Sequence, residues 1–311
     1  MQVCAACGSS NVFYARPYEG RALCSPCFVG DLEEKVRRTI ARHAMLEPLD
    51  HVAVGVSGGK DSLTLLTILA KLEGRFPRAK LTAVTIDEGI HGYRDEALEI
   101  ARRHCERLKI QQVNVGFNDL FGITTDEIAA TKRQLTPCSY CGVLRRKALN
   151  RAAVKIGATK IATAHNLDDE AQTALLNFLH GDISRLARNS PVLKDPRGKF
   201  ITRIKPLAEI PEREIVLYAY ARGFEFQSTP CPHGNHALRN DIRAILNRLD
   251  EKHPGMKFTA YRSGEKLRRL LDNVLPYAEL NACERCGDPT PQMICEGCRL
   301  LEALVPLAAR A

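Results

Sequence analysis

Eight of the twelve cysteines stand as Cys-x-x-Cys pairs at the two ends of the chain, and no other feature constrains the fold as strongly. Cys4 and Cys7 are matched with Cys24 and Cys27 across sixteen intervening residues, and Cys283 and Cys286 with Cys295 and Cys298 across eight. Each pair puts two thiolates on one tight turn, and two such turns complete a tetrahedron around zinc. Gly8 and Gly287, each one residue past a pair, suit those turns. Thioredoxin-like redox motifs would not predict the doubling. The N-terminal Met-Gln-Val-Cys lacks a signal-peptide pattern, and no apolar run approaches the roughly 20 residues of a membrane span. A cytoplasmic location follows as an expectation, and there thiols stay reduced and serve metals rather than disulfides.

Three further cysteines are arranged differently. Cys138 and Cys141 lie in Thr-Pro-Cys-Ser-Tyr-Cys-Gly, and Cys231 in Thr-Pro-Cys-Pro-His, with no partner pair to close a zinc site. Three thiolates leave one coordination position open, as in a reactive metal or an iron–sulfur cluster with one accessible iron. A redox pair with Cys231 as resolving thiol, or plain packing, are the other readings of the spacing. His233 and His236 could complete a zinc site, although a hydrogen-bonded or solvated role is ordinary for each. Cys105 shares a helical stripe with Ala97, Ala101 and Leu108 and reads as a buried thiol.

Between the ends, strands alternate with helices. Residues 31–46 read as a helix with Val36, Ile40 and Ala44 on one face. Strands are expected at 51–56, 81–86, 113–115 and 160–163, and helices at 60–72, 94–108, 142–156 and 167–179. This order implies an α/β fold with a parallel sheet covered on both faces. Residues 184–210 read as a loop, with an edge strand at 201–204. Helices follow at 211–222, 237–250 and 262–272, the second turning Leu238, Ile242, Ile245 and Leu249 inward. The expected organisation is a ribbon over 1–30, a core over 31–230, a helical region over 231–280 and a second ribbon over 281–311. Ser57, Asp87 and His165 follow strands and should face one crevice at their carboxyl ends.

The net charge of +9 is concentrated. From Lys132 to Lys160 there are eight Lys or Arg and no Asp or Glu, whereas a solvated helix face normally mixes signs. A polyanion-contacting surface fits better, with a nucleic acid as the natural partner.

Ser57-Gly-Gly-Lys-Asp-Ser62 joins the first core strand to its helix. Two glycines let amides converge on a phosphate, the helix N-terminus adds partial positive charge, and Lys60 adds a full one. It is not a Walker A loop, since Val54 stands where that motif has Gly and Asp61 replaces its Ser or Thr. The segment resembles the pyrophosphate loop of PP-loop adenylating enzymes. Thr85-Ile-Asp-Glu-Gly-Ile-His-Gly-Tyr-Arg94, Pro137-Cys-Ser-Tyr-Cys-Gly-Val-Leu-Arg-Arg146 and Ala164-His-Asn-Leu-Asp-Asp-Glu-Ala-Gln-Thr173 extend the likeness. With both ribbons, the chain from Cys4 to Cys298 is similar to the TtuA-type tRNA 2-thiouridine synthetases and their wobble-uridine relatives.

The resemblance implies specific roles. Cys138, Cys141 and Cys231 would hold a [4Fe–4S] cluster whose fourth iron is free to bind sulfide. Gly55, Ser57, Gly58, Gly59, Lys60, Asp61 and Ser62 would bind ATP phosphates with magnesium, and backbone at Ile86 and Ala164 the adenosine. Arg145 stands where some relatives carry Lys. It keeps the charge but is poorly suited to transfer a proton. The sulfur donor would be a ubiquitin-like thiocarboxylate protein, and homodimerisation is compatible with this reading. In the implied reaction the uridine O2 attacks the α-phosphate, pyrophosphate leaves, and sulfur then displaces AMP. Asp169 is the candidate for magnesium or uridine orientation, and Asp168 for capping the helix near Leu167.

A lysidine-synthetase-like adenylator has no use for the three cysteines, and the intact phosphate loop argues against a non-catalytic zinc or iron–sulfur RNA-binding module. The expected target is 5-methyluridine 54 of the T-loop, with wobble uridine 34 as the alternative. The chain ends thirteen residues after Cys298 without a docking tail, and low aromatic content suits the packed tRNA elbow better than splayed anticodon bases. On the other side, Thr85–Arg94 and Val143–Arg146 look closer to the wobble-uridine relatives. Prepared anaerobically, the protein is expected to carry two zinc ions and about four iron atoms per chain. Reconstituted protein holding zinc alone, about three per chain, would contradict the cluster.

Overall fold

The computed structural model describes residues 2–74, 78–131, 135–194, 201–234, 238–272, 274–275 and 281–304. A hairpin of β1 (Tyr14–Arg16) and β2 (Arg21–Leu23) carries the first two cysteine pairs on its flanks, and α1 (Ser25–Arg42) leads into the core. There β3 (His51–Gly55), α2 (Lys60–Glu73), β4 (Lys80–Asp87), α3 (Arg94–Leu108) and β5 (Gln111–Gly116) alternate. Short helices α4 (Phe117–Phe121) and α5 (Thr125–Ala130) precede α6 (Pro137–Lys155), β6 (Lys160–Ala162), α7 (Leu167–Leu179) and α8 (Ile183–Ala187). After β7 (Val192–Leu193) and β8 (Thr202–Ile204) come α9 (Glu212–Ala221), α10 (Leu238–Lys252) and α11 (Met256–Asp272). The second ribbon holds β9 (Asn281–Ala282), β10 (Pro289–Thr290) and α12 (Glu296–Leu304).

The main sheet has the order β5-β4-β3-β6-β8-β7, parallel except for β7. Its central strands β3, β4 and β6 are buried on both faces, as covered parallel strands are, while β5, β8 and β7 are partly exposed towards the two edges. Val52 and Val54 point into the cluster beneath α1, α2 and α9, while Ala53 points into the cluster beneath α6 and α12. The parallel register carries the ends of β4, β3 and β6 to one side of the sheet, where Asp87 closes β4 and Ser57 and His165 follow β3 and β6.

Several boundaries differ from expectation. Helix α1 stops at Arg42. Ala44 takes a positive φ of 45° and is exposed, and Met45 fills the apolar position instead. Strand β8 is not the edge, because the two-residue β7 covers it. Helix α6 begins at Pro137, so Cys138 and Cys141 occupy its first turns; proline at the first helical position is the signal that marks this start. On α10 the buried pair is Ile242 and Leu246, while Leu238, Ile245 and Leu249 stay exposed. The cause is a narrow contact stripe against α7 and α11. Helix α11 starts six residues before 262, at Met256, and α12 was not anticipated. No described helix is long and apolar enough to cross a membrane.

The first ribbon is keyed into the core by a buried ion pair. Both Arg16 and Glu214 have fully buried side chains, and the guanidinium meets the carboxylate twice at 2.9 Å. Arg16 also donates to Glu19 at 2.8 Å and Asp31 at 2.7 Å. Glu214→Ala removes the fully buried partner of the Arg16 Nε and Nη2 donors, leaves the guanidinium paired only with the partly exposed Glu19 and Asp31, and should cost about 3 kcal/mol in urea denaturation. The Arg16→Met/Glu214→Met double variant should lose less; a double variant as unstable as Glu214→Ala would refute this account.

Candidate active site

The phosphate loop is held in one shape by its own side chains and by its neighbours. Gly58 has φ +86° and lies against α3 so tightly that a Cβ would meet the Ala97 carbonyl oxygen at 2.3 Å. Ser62 is buried; its hydroxyl accepts from Ser57 N–H at 3.0 Å and donates to the Gly59 carbonyl at 2.9 Å. That hydroxyl therefore buttresses the loop, while the Ser57 side chain is exposed beside it. Helix α2 has Gly59 as N-cap and no side-chain cap, leaving its first amides for an anion. Arg94 donates to the carbonyl oxygens of Ser57 at 2.9 Å and Ile86 at 2.5 Å, so the Ile86 carbonyl is already engaged. Gly55 backs the loop at a point where an added Cβ would meet the Leu149 side chain at 3.4 Å.

Carboxylates converge from three elements. Lys60 pairs with Asp61 at 2.7 Å and Glu212 at 2.9 Å, and Glu212 also takes Arg243 at 2.6 Å. These partners hold the Lys60 ammonium above its ordinary range despite burial. Asn166 donates to Asp61 at 2.9 Å and is the N-cap of α7, with Asp169 as its reciprocal partner in a capping box. The cap of α7 expected at Asp168 falls instead to Asn166 with Asp169, and Asp168 serves a different helix. Asp169 caps its own helix, whereas Asp168 accepts from the Glu212 amide at 2.8 Å and from Lys257, tying α9 and α11 to α7. Burial, with the nearby charges of Asp61 and Glu212, raises the Asp169 carboxyl to about 6. A divalent cation is the natural relief for such crowded carboxylates.

The three isolated cysteines lie beside this loop. Cys138 Sγ contacts the His233 carbonyl oxygen at 3.2 Å, and Cys138 feels the Cys231 thiol electrostatically. Arg145 donates to Cys141 Sγ at 3.3 Å and pairs with the buried Glu88 at 2.6 Å, which also holds Arg94 at 2.7 Å. The Cys231 segment is latched twice. His233 bonds Asp126 at 2.8 Å, and the Gln227 amide donates to the Gly58 carbonyl at 3.0 Å. The His233 ring is thus committed elsewhere, and His236 lies outside the described residues.

In each ribbon all four sulfurs lie within 4.8 Å of one another, with Cys7–Cys24 at 3.6 Å and Cys286–Cys295 at 3.7 Å. Sulfurs about 3.8 Å apart are what a tetrahedral zinc with 2.3 Å bonds requires. Among the described residues, Cys138, Cys141 and Cys231 form no such tight set. Wider spacing suits ligands on different irons of a cluster better than ligands of one zinc, so three thiols without a fourth ligand fit that group.

The basic segment divides once folded. Lys147 donates to Cys286 Sγ at 2.9 Å and Cys295 Sγ at 3.4 Å and pairs with Asp288, while its stem fills the space beside Gly297. Arg151 lies 3.8 Å from Asp288 and Lys160 lies 3.6 Å from Glu47. These cations neutralise protein, correcting the expectation that Lys147 and Arg151 face a polyanion. Lys132 and Arg133 lie outside the described residues. Arg146 and Arg203 remain adjacent, and among the described residues neither has a carboxylate partner. Although His165 is exposed, desolvation by the protein packed around it and the charges of Lys205, Arg239, Arg146 and Arg203 push it down to about 3, leaving its imidazole neutral. Glu88, Asn166, Glu212 and Asp126 escaped the sequence reading; only Asn166 had a signal, the spacing of a capping box.

A family profile described as a PP-loop domain matches residues 32–249. The tRNA 2-thiolation protein NcsA of Haloferax volcanii is 39% identical, with 97% of this chain and 98% of that protein covered. Cytoplasmic tRNA 2-thiolation protein 1 of Aspergillus niger is 38% identical over 97% of this chain and 88% of that protein. The solved U34-tRNA thiolase NcsA of Methanococcus maripaludis, with its [4Fe-4S] cluster, superposes with a TM-score of 0.85 at 34% identity, covering 99% and 98% of the two chains. That relative acts on position 34, which displaces the T-loop expectation in favour of its alternative. A sheet with an uncapped phosphate loop at its edge, two four-cysteine ribbons and relatives alike over nearly their whole length lead to one assignment: the chain belongs to the PP-loop family, among the tRNA 2-thiolation proteins.

Proposed function

We propose that this protein replaces the 2-oxygen of wobble uridine 34 in tRNA with sulfur, after ATP-dependent adenylation of that oxygen, in the cytoplasm. One observation carries the reading: the phosphate loop and the three-cysteine wall are braced by the same residues. Arg94 holds the Ser57 and Ile86 carbonyls, shares Glu88 with Arg145, and Arg145 reaches Cys141. An adenylating site and a sulfur-delivering site must act on one carbon, so a shared brace is what such chemistry needs.

The free amides of α2 and the Lys60 ammonium would take the phosphates of ATP, and Asp61 and Asp169 would hold magnesium. As the uridine O2 bonds to the α-phosphorus, pyrophosphate leaves and the N3 proton is released. Hydrosulfide addition at C2 restores that proton and expels AMP with the original oxygen. A cluster on Cys138, Cys141 and Cys231 would supply one open iron as a sulfur-presenting Lewis acid. Arg145 stays protonated and would counter the anionic charge of cluster and adenylate. Both ribbons would carry zinc, and a ubiquitin-like thiocarboxylate protein would donate the sulfur.

Lys60→Ala and Asp169→Asn should each cut thiolation by at least about 100-fold with iron and zinc contents unchanged. Retained activity in either removes that residue from the mechanism. Cys138→Ala, Cys141→Ala or Cys231→Ala should abolish thiolation while zinc content stays at the wild-type value. With total tRNA, ATP and a sulfide source, mass spectrometry of digests should find 2-thiouridine in anticodon fragments. Sulfur confined to T-loop fragments would restore position 54 and overturn the assignment.

A further inference from the structure

Apart from the phosphate loop, the molecule has a cleft of about 740 Å³ that the chemistry above does not use. Its walls come from the turn of the first ribbon, the outer face of α1 and the corner between α10 and α11. Lys35, Arg38, Arg42, Lys252 and Arg262 line it, against two carboxylates, Glu19 and Glu209.

Both acids are already spent. Glu19 is held by Arg16 at 2.8 Å and Lys35 at 2.6 Å, which keep its carboxyl below the usual range, and Glu209 by Arg42 at 2.6 Å and His43 at 3.3 Å. Among the described residues neither Lys252 nor Arg262 has a carboxylate partner, and the Arg262 guanidinium lies 5.8 Å over the Phe258 ring. Phe258 in turn packs on Tyr18 with centroids 4.7 Å apart, and the Tyr18 hydroxyl is fixed by Glu214 and by Lys35 at 3.0 Å. Surplus arginine and lysine around a pair of fixed aromatic rings is the composition that grips phosphates while seating an unstacked base.

We propose that this cleft is a second docking site for the RNA substrate, gripping its backbone away from the reacting uridine. The inference rests on tRNA being the substrate. A chain of contacts also joins the site to the catalytic one. Lys257, between Met256 and Phe258 in the cleft wall, pairs with Asp168, which holds the Glu212 amide; Glu212 pairs with Lys60. The corner that grips RNA is therefore tied, through Asp168 and Glu212, to Lys60 of the phosphate loop.

The test is the salt dependence of tRNA binding by the full-length, metal-loaded protein and by an Arg38→Ala/Lys252→Ala/Arg262→Ala variant. All three side chains are exposed, so thermal melting, metal content and ATP binding should be unchanged. The variant should bind tRNA about 10-fold more weakly near 100 mM salt, with a slope of log K against log salt flatter by about two to three units. Thiolation should show a raised KM for tRNA with kcat preserved. An unchanged slope, with wild-type protein binding tRNA, overturns the cleft alone. Wild-type protein that binds no tRNA overturns the function itself. Loss of polyglutamate binding in the variant, with tRNA binding intact, assigns the cleft to an acidic protein and overturns the proposal.

Discussion

The close approach of Gly58 to α3 is the contact on which the rest of the site is assembled. With φ +86° and no Cβ, Gly58 lets the chain turn so near Ala97 that the first amides of α2 emerge bare at the sheet edge. Any side chain there is excluded twice, by the left-handed backbone and by the Ala97 carbonyl at 2.3 Å. Once the loop is pinned, its remaining polar groups become anchor points for segments far away in sequence. The Gly58 carbonyl receives Gln227, the Ser57 carbonyl receives Arg94, and Lys60 meets Glu212. Three chain segments are thereby registered against one turn.

Charge is handled by the same economy. Buried or half-buried ion pairs in this protein do positional work, because a buried charge deprived of its partner is costly. Arg16 with Glu214 joins the first ribbon to α9, Lys147 with Asp288 and two ribbon sulfurs joins the second to α6, and Glu88 spans Arg94 and Arg145. Helix α6 thus carries Cys138 and Cys141 at its start and receives the second ribbon near its middle.

The phosphate loop, the two ribbons and the alternating core were legible in the sequence because each is local: glycines at fixed offsets, doubled cysteine pairs, apolar runs of strand length. Long-range pairings were not. Nothing near Glu212 or Glu88 announces that they brace a loop 152 residues away or a cysteine-bearing helix. The basic segment misled for a related reason. A run of like charges says nothing about partners folded in from elsewhere, and Asp288, 141 residues from Lys147, neutralises part of it. Asp168 lost the expected cap of α7 to Asn166 and Asp169 and holds the first amide of α9 instead, a part that depends on where α9 begins.

The central claim is that one crevice first turns a uridine oxygen into an adenylate ester and then replaces it with sulfur. The most direct measurement uses tRNA transcribed with ¹⁸O at the 2-position of its uridines, reacted with ATP and sulfide, followed by mass spectrometry of the released nucleotides. One ¹⁸O should appear in the phosphate of AMP for every 2-thiouridine formed. Label remaining outside AMP, or cleavage of ATP to ADP during thiolation, would contradict it.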